Sequence, residues 1–129
     1  MSLLFYTLSI VTAGVTAGLY WLGVNESLFW VYPWYDIPIH ILAGVMLGCW
    51  AAGSAAGRHM PTARMVAYVF FVVVTVGILW ELFEYMAALT GGEPGFMLDV
   101  IADLVNDCLG GALPAILYWY LHRKKVLYV

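Results

Sequence analysis

Four long apolar segments, separated by short polar linkers, constrain this chain more than any other feature of its sequence. A transmembrane helix needs about 20 mostly apolar residues, and in lipid only helices or closed barrels satisfy the backbone hydrogen bonds. Unbroken segments of this length favour helices. Charged residues make up only 10% of the 129 residues, and a soluble domain of this size could not hide so much apolar surface. The sequence therefore predicts an all-α fold, an integral membrane four-helix bundle.

The predicted helices form a single membrane domain over residues 1–129. Their approximate bounds are 3–23, 36–56, 62–89 and 99–121. The first segment lacks the basic residues with which a secretory signal peptide begins, so we interpret it as a transmembrane helix. Cys49 and Cys108 both lie within predicted helices, where cysteine usually behaves as a small hydrophobic residue.

The charged residues divide by sign between the two ends of the predicted bundle. The eight acidic residues lie at or towards one end, and the five basic residues at the other are Arg58, Arg64, Arg123, Lys124 and Lys125. Basic linkers remain on the cytoplasmic side of a membrane. We therefore predict cytoplasmic N- and C-termini, with the acidic end facing the extracytoplasmic side. The expected location is the cytoplasmic (inner) membrane of a prokaryote, as a multi-pass protein.

Glycine spacing predicts close packing between helices. Three G-x-x-x-G pairs occur, at Gly14–Gly18, Gly44–Gly48 and Gly53–Gly57. Small residues at this spacing let membrane helices approach closely. The pairs predict a tight bundle, a homodimer that forms through one or more of these faces, or both.

The segment LFWVYPWY, residues 28–35, contains five aromatic residues beside the second predicted helix. Tryptophan and tyrosine favour the membrane interface, so an interfacial belt is the first interpretation. A lid over a site below it is the alternative.

Polar residues recur within three of the four apolar segments. At 100° per residue, Asp99, Asp103 and Asn106 lie on one stripe of the last helix, with Asp107 at its edge. One turn likewise separates the first two polar residues of the second helix, and two glutamates share a face of the third. Helix directions put all of these groups at similar depths. The predicted polar site consists of Asp36, His40, Glu81, Glu84, Asp99, Asp103, Asn106 and Asp107.

Helix capping is the simplest alternative for two of these residues. Asp36 and Asp99 stand near helix starts, where aspartate commonly caps the helix and interacts favourably with its dipole. The other acidic residues and His40 lie a turn or more inside. A charged side chain there costs at least a few kcal/mol, and such residues usually face the bundle interior and mark functional sites.

Three interpretations of the deeper residues remain open: a metal site, a proton or ion pathway, and a structural polar core. Close carboxylates repel one another, and a divalent cation with carboxylate and imidazole ligands would relieve that repulsion. The cofactor that we predict is therefore a divalent metal ion of unknown identity. Its predicted ligands are Asp36, His40, Glu81, Glu84, Asp99 and Asp103, and Asn106 and Asp107 are further polar residues of the site.

Three blocks in this order resemble a known group of proteins. They are D-x-x-x-H-x-x-x-G from Asp36, W-E-x-x-E from Trp80, and D-x-x-x-D-x-x-x-D-x-x-G from Asp99. The pattern, over about residues 34–120, resembles small bacterial and archaeal membrane proteins of the YjdF type and, more distantly, the VanZ-like family. In those proteins threonine stands at position 100, here Val100, and asparagine stands where this chain has Asp107. VanZ-like proteins are associated with glycopeptide-antibiotic resistance at the cell envelope. The resemblance implies one shared site but no particular reaction.

Three functions fit these features. The first is a metal-dependent membrane enzyme acting on a lipid or lipid-linked phosphate, with Glu81 and Asp107 as candidate catalytic residues. The second is a component that transports protons or cations, although the opposite halves of the helices lack polar residues. The third is a non-catalytic envelope factor. The expected partners are the lipid bilayer and a lipid or lipid-linked ligand, with no nucleic acid.

Overall fold

The protein is helical throughout the part that the structure describes. The computed structural model describes residues 1–87 and 95–127, with side chains as far as Arg123. Four of its helices are long and apolar enough to span a membrane, whereas one consists of a single turn. The helices are α1 (Ser2–Asn25), α2 (Leu28–Val31), α3 (Asp36–Gly57), α4 (Thr62–Met86) and α5 (Phe96–Leu127). This architecture confirms the predicted all-α membrane bundle.

The starts of α3 and α5 show that Asp36 and Asp99 do not cap these helices. Tyr35 is the N-cap of α3, and no side chain caps this helix. Gly95, in the left-handed region with φ of 101°, precedes α5, so the helix starts before the first aspartate is reached. Asp36 and Asp99 therefore lie within first turns, where they still favour the positive helix end but do not cap it. The predicted end of the third transmembrane helix, at residue 89, lies outside the described residues.

Helix α3 is the centre of the bundle. It packs against α1, α4 and α5, and α4 also packs against α5. Half of the most apolar part of α3 is buried, compared with 11% for α1. Helix α1 therefore covers one side of α3 and leaves most of its own surface to lipid.

Glycines bring α3 and α5 into backbone contact. A Cβ atom on Gly44 would overlap the backbone carbonyl of Asp107, and one on Gly110 would overlap the carbonyl of Ile41. One turn further along both helices, a Cβ on Gly48 would lie 2.6 Å from Pro114 Cγ. Small residues at such contacts are the usual means of close helix approach in membranes. This contact joins the third turn of α3 to the fourth turn of α5.

Apolar side chains fill the half of the bundle towards the basic residues. The largest fully buried ones are Phe5, Met65, Val69, Val73 and Tyr118. The Tyr118 hydroxyl donates a hydrogen bond of 3.1 Å to the carbonyl oxygen of Met60, which ties α5 to the linker between α3 and α4. We call this half the basic end, after Arg58, Arg64 and Arg123, and the opposite half the acidic end. Buried acidic side chains are confined to the acidic end among the described residues.

The other two glycine pairs have different surroundings. Gly53 lies against the ring of Tyr6 on α1, 3.0 Å from the position of a Cβ. Gly14, Gly18 and Gly57 have no described atom within 4 Å of that position. Only Gly44–Gly48 thus packs with both its members, and the homodimer stays a prediction.

The aromatic segment before α3 packs onto the end of α1. The Phe29 ring lies edge-on to Tyr20 and Tyr35, with centroid distances of 5.6 and 5.3 Å. The Tyr35 hydroxyl donates to the carbonyl oxygen of Leu19 at 2.8 Å, whereas Trp30 is 73% exposed. These contacts with α1 favour the interfacial belt over a lid.

The α3–α5 contact generates a testable prediction. Replacing Gly110 by alanine forces its methyl group into the Ile41 carbonyl, and backbone atoms in two packed helices cannot move aside individually. We expect a loss of about 1–3 kcal/mol, as for overpacking in other cores. Thermal unfolding in detergent, followed by circular dichroism, measures it as a lowered Tm.

Gly18→Ala is the matched control, because the same methyl group there meets open space on α1. Alanine also favours a helix over glycine, so the control should keep or raise the Tm. Equal Tm values for the two variants would contradict a tight α3–α5 contact.

Candidate metal centre

His40 is the centre of the polar cluster at the acidic end. Its side chain is 6% exposed and lies one turn after Asp36 on α3. Nε2 lies 3.5 Å from Asp36 Oδ2 and 3.8 Å from Asp103 Oδ1, and Nδ1 lies 3.3 Å from Asp107 Oδ1. Both ring nitrogens therefore face carboxylates, two of which come from successive turns of α5.

Asp36, His40 and Asp103 form a group with the dimensions of a metal site. Each offers one ligand atom, and these three atoms lie within 4.8 Å of one another. Ligands of a tetrahedral ion at about 2.1 Å are about 3.4 Å apart, by the geometry of a tetrahedron. The distances of 3.5 and 3.8 Å from Nε2 to the two carboxylates are close to that value. Small rotations of the aspartates would let all three atoms contact one ion.

Glu81 reaches the cluster from α4. It is 7% exposed, and its Oε1 has no hydrogen-bond partner among the described residues. It interacts electrostatically with Asp103, Glu84 and His40. Glu81 is not one of the three mutually close ligand residues. A buried oxygen without a partner is costly, so this carboxylate is free to bind an ion, a proton or a ligand.

The remaining predicted residues lie farther from the group. Glu84 is half-buried and lies one turn after Trp80 on α4. Asp99 is exposed on the first turn of α5, and Asn106 is half-buried. The three mutually close ligand residues include none of these side chains. Glu84 and Asp99 therefore add negative charge around the site without sharing its central atoms.

The structure exchanges the positions expected for Asn106 and Asp107. Helix periodicity puts Asn106 within the polar stripe and Asp107 at its edge, yet Asp107 is only 3% exposed and contacts His40. The reason is the α3–α5 contact, which presses the backbone of Asp107 against Gly44. Helix α5 thus comes closest to α3 at Asp107, so its buried face is centred nearer to Asp107 than to Asn106.

Two residues of the site escaped the sequence analysis. A Cβ on Gly77 would lie 2.7 Å from Asp107 Oδ2, so this glycine makes room for the carboxylate. Its signal in the sequence is its position one turn before Glu81 on α4. Tyr20 of α1 stacks edge-on to Trp80 and interacts electrostatically with Glu84 and Asp36. No acidic residue marks α1, so nothing in the sequence relates Tyr20 to the site.

The cluster is rich in carboxyl groups and becomes more exposed towards the end of the bundle. Burial decreases from Asp107 and Asp103 to Asp36, whose side chain is 37% exposed, and then to the exposed Asp99. All five basic residues belong to the other end. Acidic side chains are thus concentrated around His40, at the end of the bundle that lacks arginine and lysine side chains among the described residues.

Comparison with known proteins identifies the family. The family described as predicted membrane protein (DUF2238) matches residues 1–124. No curated protein and no solved structure matches the chain. The family match includes α1, which lies outside the region of resemblance at residues 34–120, and it supports a small membrane protein without bearing on the VanZ-like link. Because it covers nearly the whole chain, this protein belongs to the DUF2238 family of predicted membrane proteins.

Proposed function

We propose that this protein binds a divalent metal ion through Asp36, His40 and Asp103 and uses it in an enzyme reaction on a lipid or lipid-linked envelope substrate. One observation carries the proposal. Nε2 of the buried His40 faces carboxylate oxygens from two different helices, at 3.5 and 3.8 Å. One imidazole and two carboxylates around a single point supply three ligand atoms, the number that catalytic metal sites usually take from the protein.

Charge supports a cation at this position. Six of the eight acidic residues belong to the polar site, whereas His40 is its only basic group. Carboxylates held away from water repel one another and lose hydration energy. A divalent ion between Asp36 and Asp103 would offset both effects. The unpartnered Oε1 of Glu81 lies in the same region and supplies a further oxygen.

The ligand atoms favour one class of metal. Imidazole nitrogen suits zinc, iron and similar transition metals, whereas calcium and magnesium prefer ligand sets made of oxygen alone. Carboxylate oxygens are compatible with either class. A transition-metal ion is therefore the occupant that His40 selects.

The chemistry follows from the roles left to the other side chains. A bound metal would supply a Lewis acid that polarises a substrate oxygen or activates water. Asp36 and Asp103 would be ligands and Asp107 contacts His40, so Glu81 is the buried carboxylate that remains to accept a proton. The open end of the site, at the exposed Asp99, gives access from the membrane interface. This access suits a lipid headgroup.

Packing argues against the transport alternative. Below the site the bundle is filled by Val69, Val73 and Tyr118, none of them more than 1% exposed. Among these described residues the only polar group is the Tyr118 hydroxyl, which donates to the Met60 carbonyl, and no charged side chain is present to relay a proton or an ion. Packing does not argue against the alternative of a non-catalytic envelope factor. Measurement of metal binding tests that alternative.

Metal analysis of the purified protein is the first test. We expect about one equivalent of zinc, iron or manganese per chain, measured by inductively coupled plasma mass spectrometry. His40→Ala and Asp103→Asn each remove a ligand, and we expect losses of zinc affinity above the roughly 10–100-fold typical of outer-shell changes. Titration with zinc in detergent measures them.

Two variants serve as controls. His59→Asn removes an exposed imidazole at the basic end, and asparagine tolerates its left-handed φ of 51°. Asp99→Asn removes an exposed acidic residue outside the central group. Both should change zinc affinity by no more than a few-fold, since exposed charges are screened. A folded wild-type protein that binds no metal would overturn the proposal and leave His40 as the counter-ion of the three aspartates.

The side of the membrane that the site faces is a separate prediction. Linkers rich in basic residues stay in the cytoplasm, which supports an extracytoplasmic site. In a background with Cys49 and Cys108 replaced by alanine, we expect Glu26→Cys to react with a membrane-impermeant maleimide on intact cells. Arg58→Cys should react only after lysis. Both positions are exposed, at opposite ends of the bundle. The reverse labelling would place the site in the cytoplasm.

A further inference from the structure

We propose that Asp107 is the positioning residue of His40: it holds the ring proton on Nδ1 and thereby presents Nε2 to Asp36 and Asp103. The inference rests on the proposed function for its purpose, but its structural content can be tested without any metal. Asp107 is not part of the group of three ligand residues. Its role is to act through the imidazole.

The position of Asp107 is fixed from two sides. Its carboxylate is buried, and Oδ1 lies 3.3 Å from His40 Nδ1, the shortest of the three distances between this imidazole and a carboxylate. Oδ2 occupies the space beside Gly77, where a Cβ would approach it to 2.7 Å. The backbone carbonyl of the same residue lies against Gly44. Helices α3 and α4 thus hold both the backbone and the side chain of Asp107.

The two ring nitrogens of His40 compete for the single proton of a neutral imidazole. A neutral ring carries one N–H, and an ionised carboxylate only accepts hydrogen bonds. Asp107 faces Nδ1, while Asp36 and Asp103 face Nε2. A proton on Nδ1 satisfies Asp107 and leaves the Nε2 lone pair for an ion. Metal-ligating histidines commonly donate their second N–H to a carboxylate in this way, which fixes the tautomer and the ring orientation.

Gly77 adds a third helix, α4, to the residues that position His40. It has no side chain to offer the site, but it leaves the space that Asp107 Oδ2 occupies. A methyl group at position 77 would push this oxygen, and with it Oδ1, away from its place beside His40. Gly77→Ala therefore disturbs the imidazole while every ligand residue stays intact.

Nitrogen NMR of the ring tests the proposal directly. With His59 and His122 replaced by glutamine and ring-15N histidine incorporated, His40 is the only labelled imidazole in the detergent-solubilised protein. We expect a protonated Nδ1 with and without added zinc, and an Nε2 that carries no proton once zinc is bound. In Asp107→Leu we expect Nδ1 to lose its proton. An unprotonated Nδ1 in the parent protein, or a protonation pattern that Asp107→Leu leaves unchanged, would overturn the inference.

A graded series separates positioning from folding. Asp107→Asn keeps an acceptor oxygen for Nδ1–H, so we expect it to retain the parent spectrum. Asp107→Leu keeps the size but removes the acceptor, and we expect a loss of zinc affinity of about 10–100-fold, as for other outer-shell partners. Circular dichroism establishes that each variant is folded. If Asp107→Asn fails to restore the tautomer that Asp107→Leu loses, the hydrogen bond is not the cause.

Gly77→Ala provides a second and independent variant. We expect it to lower zinc affinity and to broaden or shift the Nδ1 resonance, whereas Gly57→Ala, with open space around its Cβ position, should do neither. Loss of zinc binding in every protein, the parent included, would refute the proposed metal function but leave the NMR result standing. An unchanged tautomer and unchanged affinity in Gly77→Ala would contradict the role of Gly77.

Discussion

The backbone contact between α3 and α5 determines what the rest of this small bundle can do. Lipid is as apolar as the side chains of the helices, so burial of apolar surface does little to hold membrane helices together, and close packing does more. Gly44 and Gly110 allow each helix to lie against a carbonyl group of the other. At this separation the imidazole of His40 reaches aspartates on two successive turns of α5. Larger residues at the two glycines would separate these groups.

The polar cluster makes opposing demands on stability and on chemistry. Burying several carboxylates at one end of a membrane bundle costs free energy, and the close helix contact keeps them together. A cation that binds only the folded chain would return part of that free energy, because such binding stabilises the folded state. Folding and ion binding would then be coupled through His40, whose two ring nitrogens both lie near carboxylates. The apolar half of the bundle, packed around Phe5, Met65 and Tyr118, supports this end.

Much of this architecture is readable from the sequence, because lipid permits few alternatives. Apolar length specifies the spans, and helix periodicity brings His40 and Asp103 to one interface. The sequence could not specify which neighbour on α5 faces His40. Periodicity favours Asn106 over Asp107, and only the crossing point of the two helices places Asp107 beside His40.

The starts of α3 and α5 show the same limit. Aspartate is a common N-cap residue, but the N-cap of α3 is Tyr35, which already has helical dihedral angles, and not Asp36. The participation of Tyr20 depends on how α1 lies beside α4, and local sequence contains no information about this contact.

The glycines at the α3–α5 contact also have an evolutionary consequence. Positions that face lipid, such as Ile10, Phe71 and Ile116, accept many apolar residues because the bilayer adapts to their shape. Gly44 and Gly110 accept none of these exchanges, since the obstructing atoms belong to the backbone. A larger residue at either position would fit only if the two helices moved apart, and a single substitution cannot rearrange both backbones without loss of stability. Distant relatives should therefore diverge over their lipid faces while this narrow line of contact changes least.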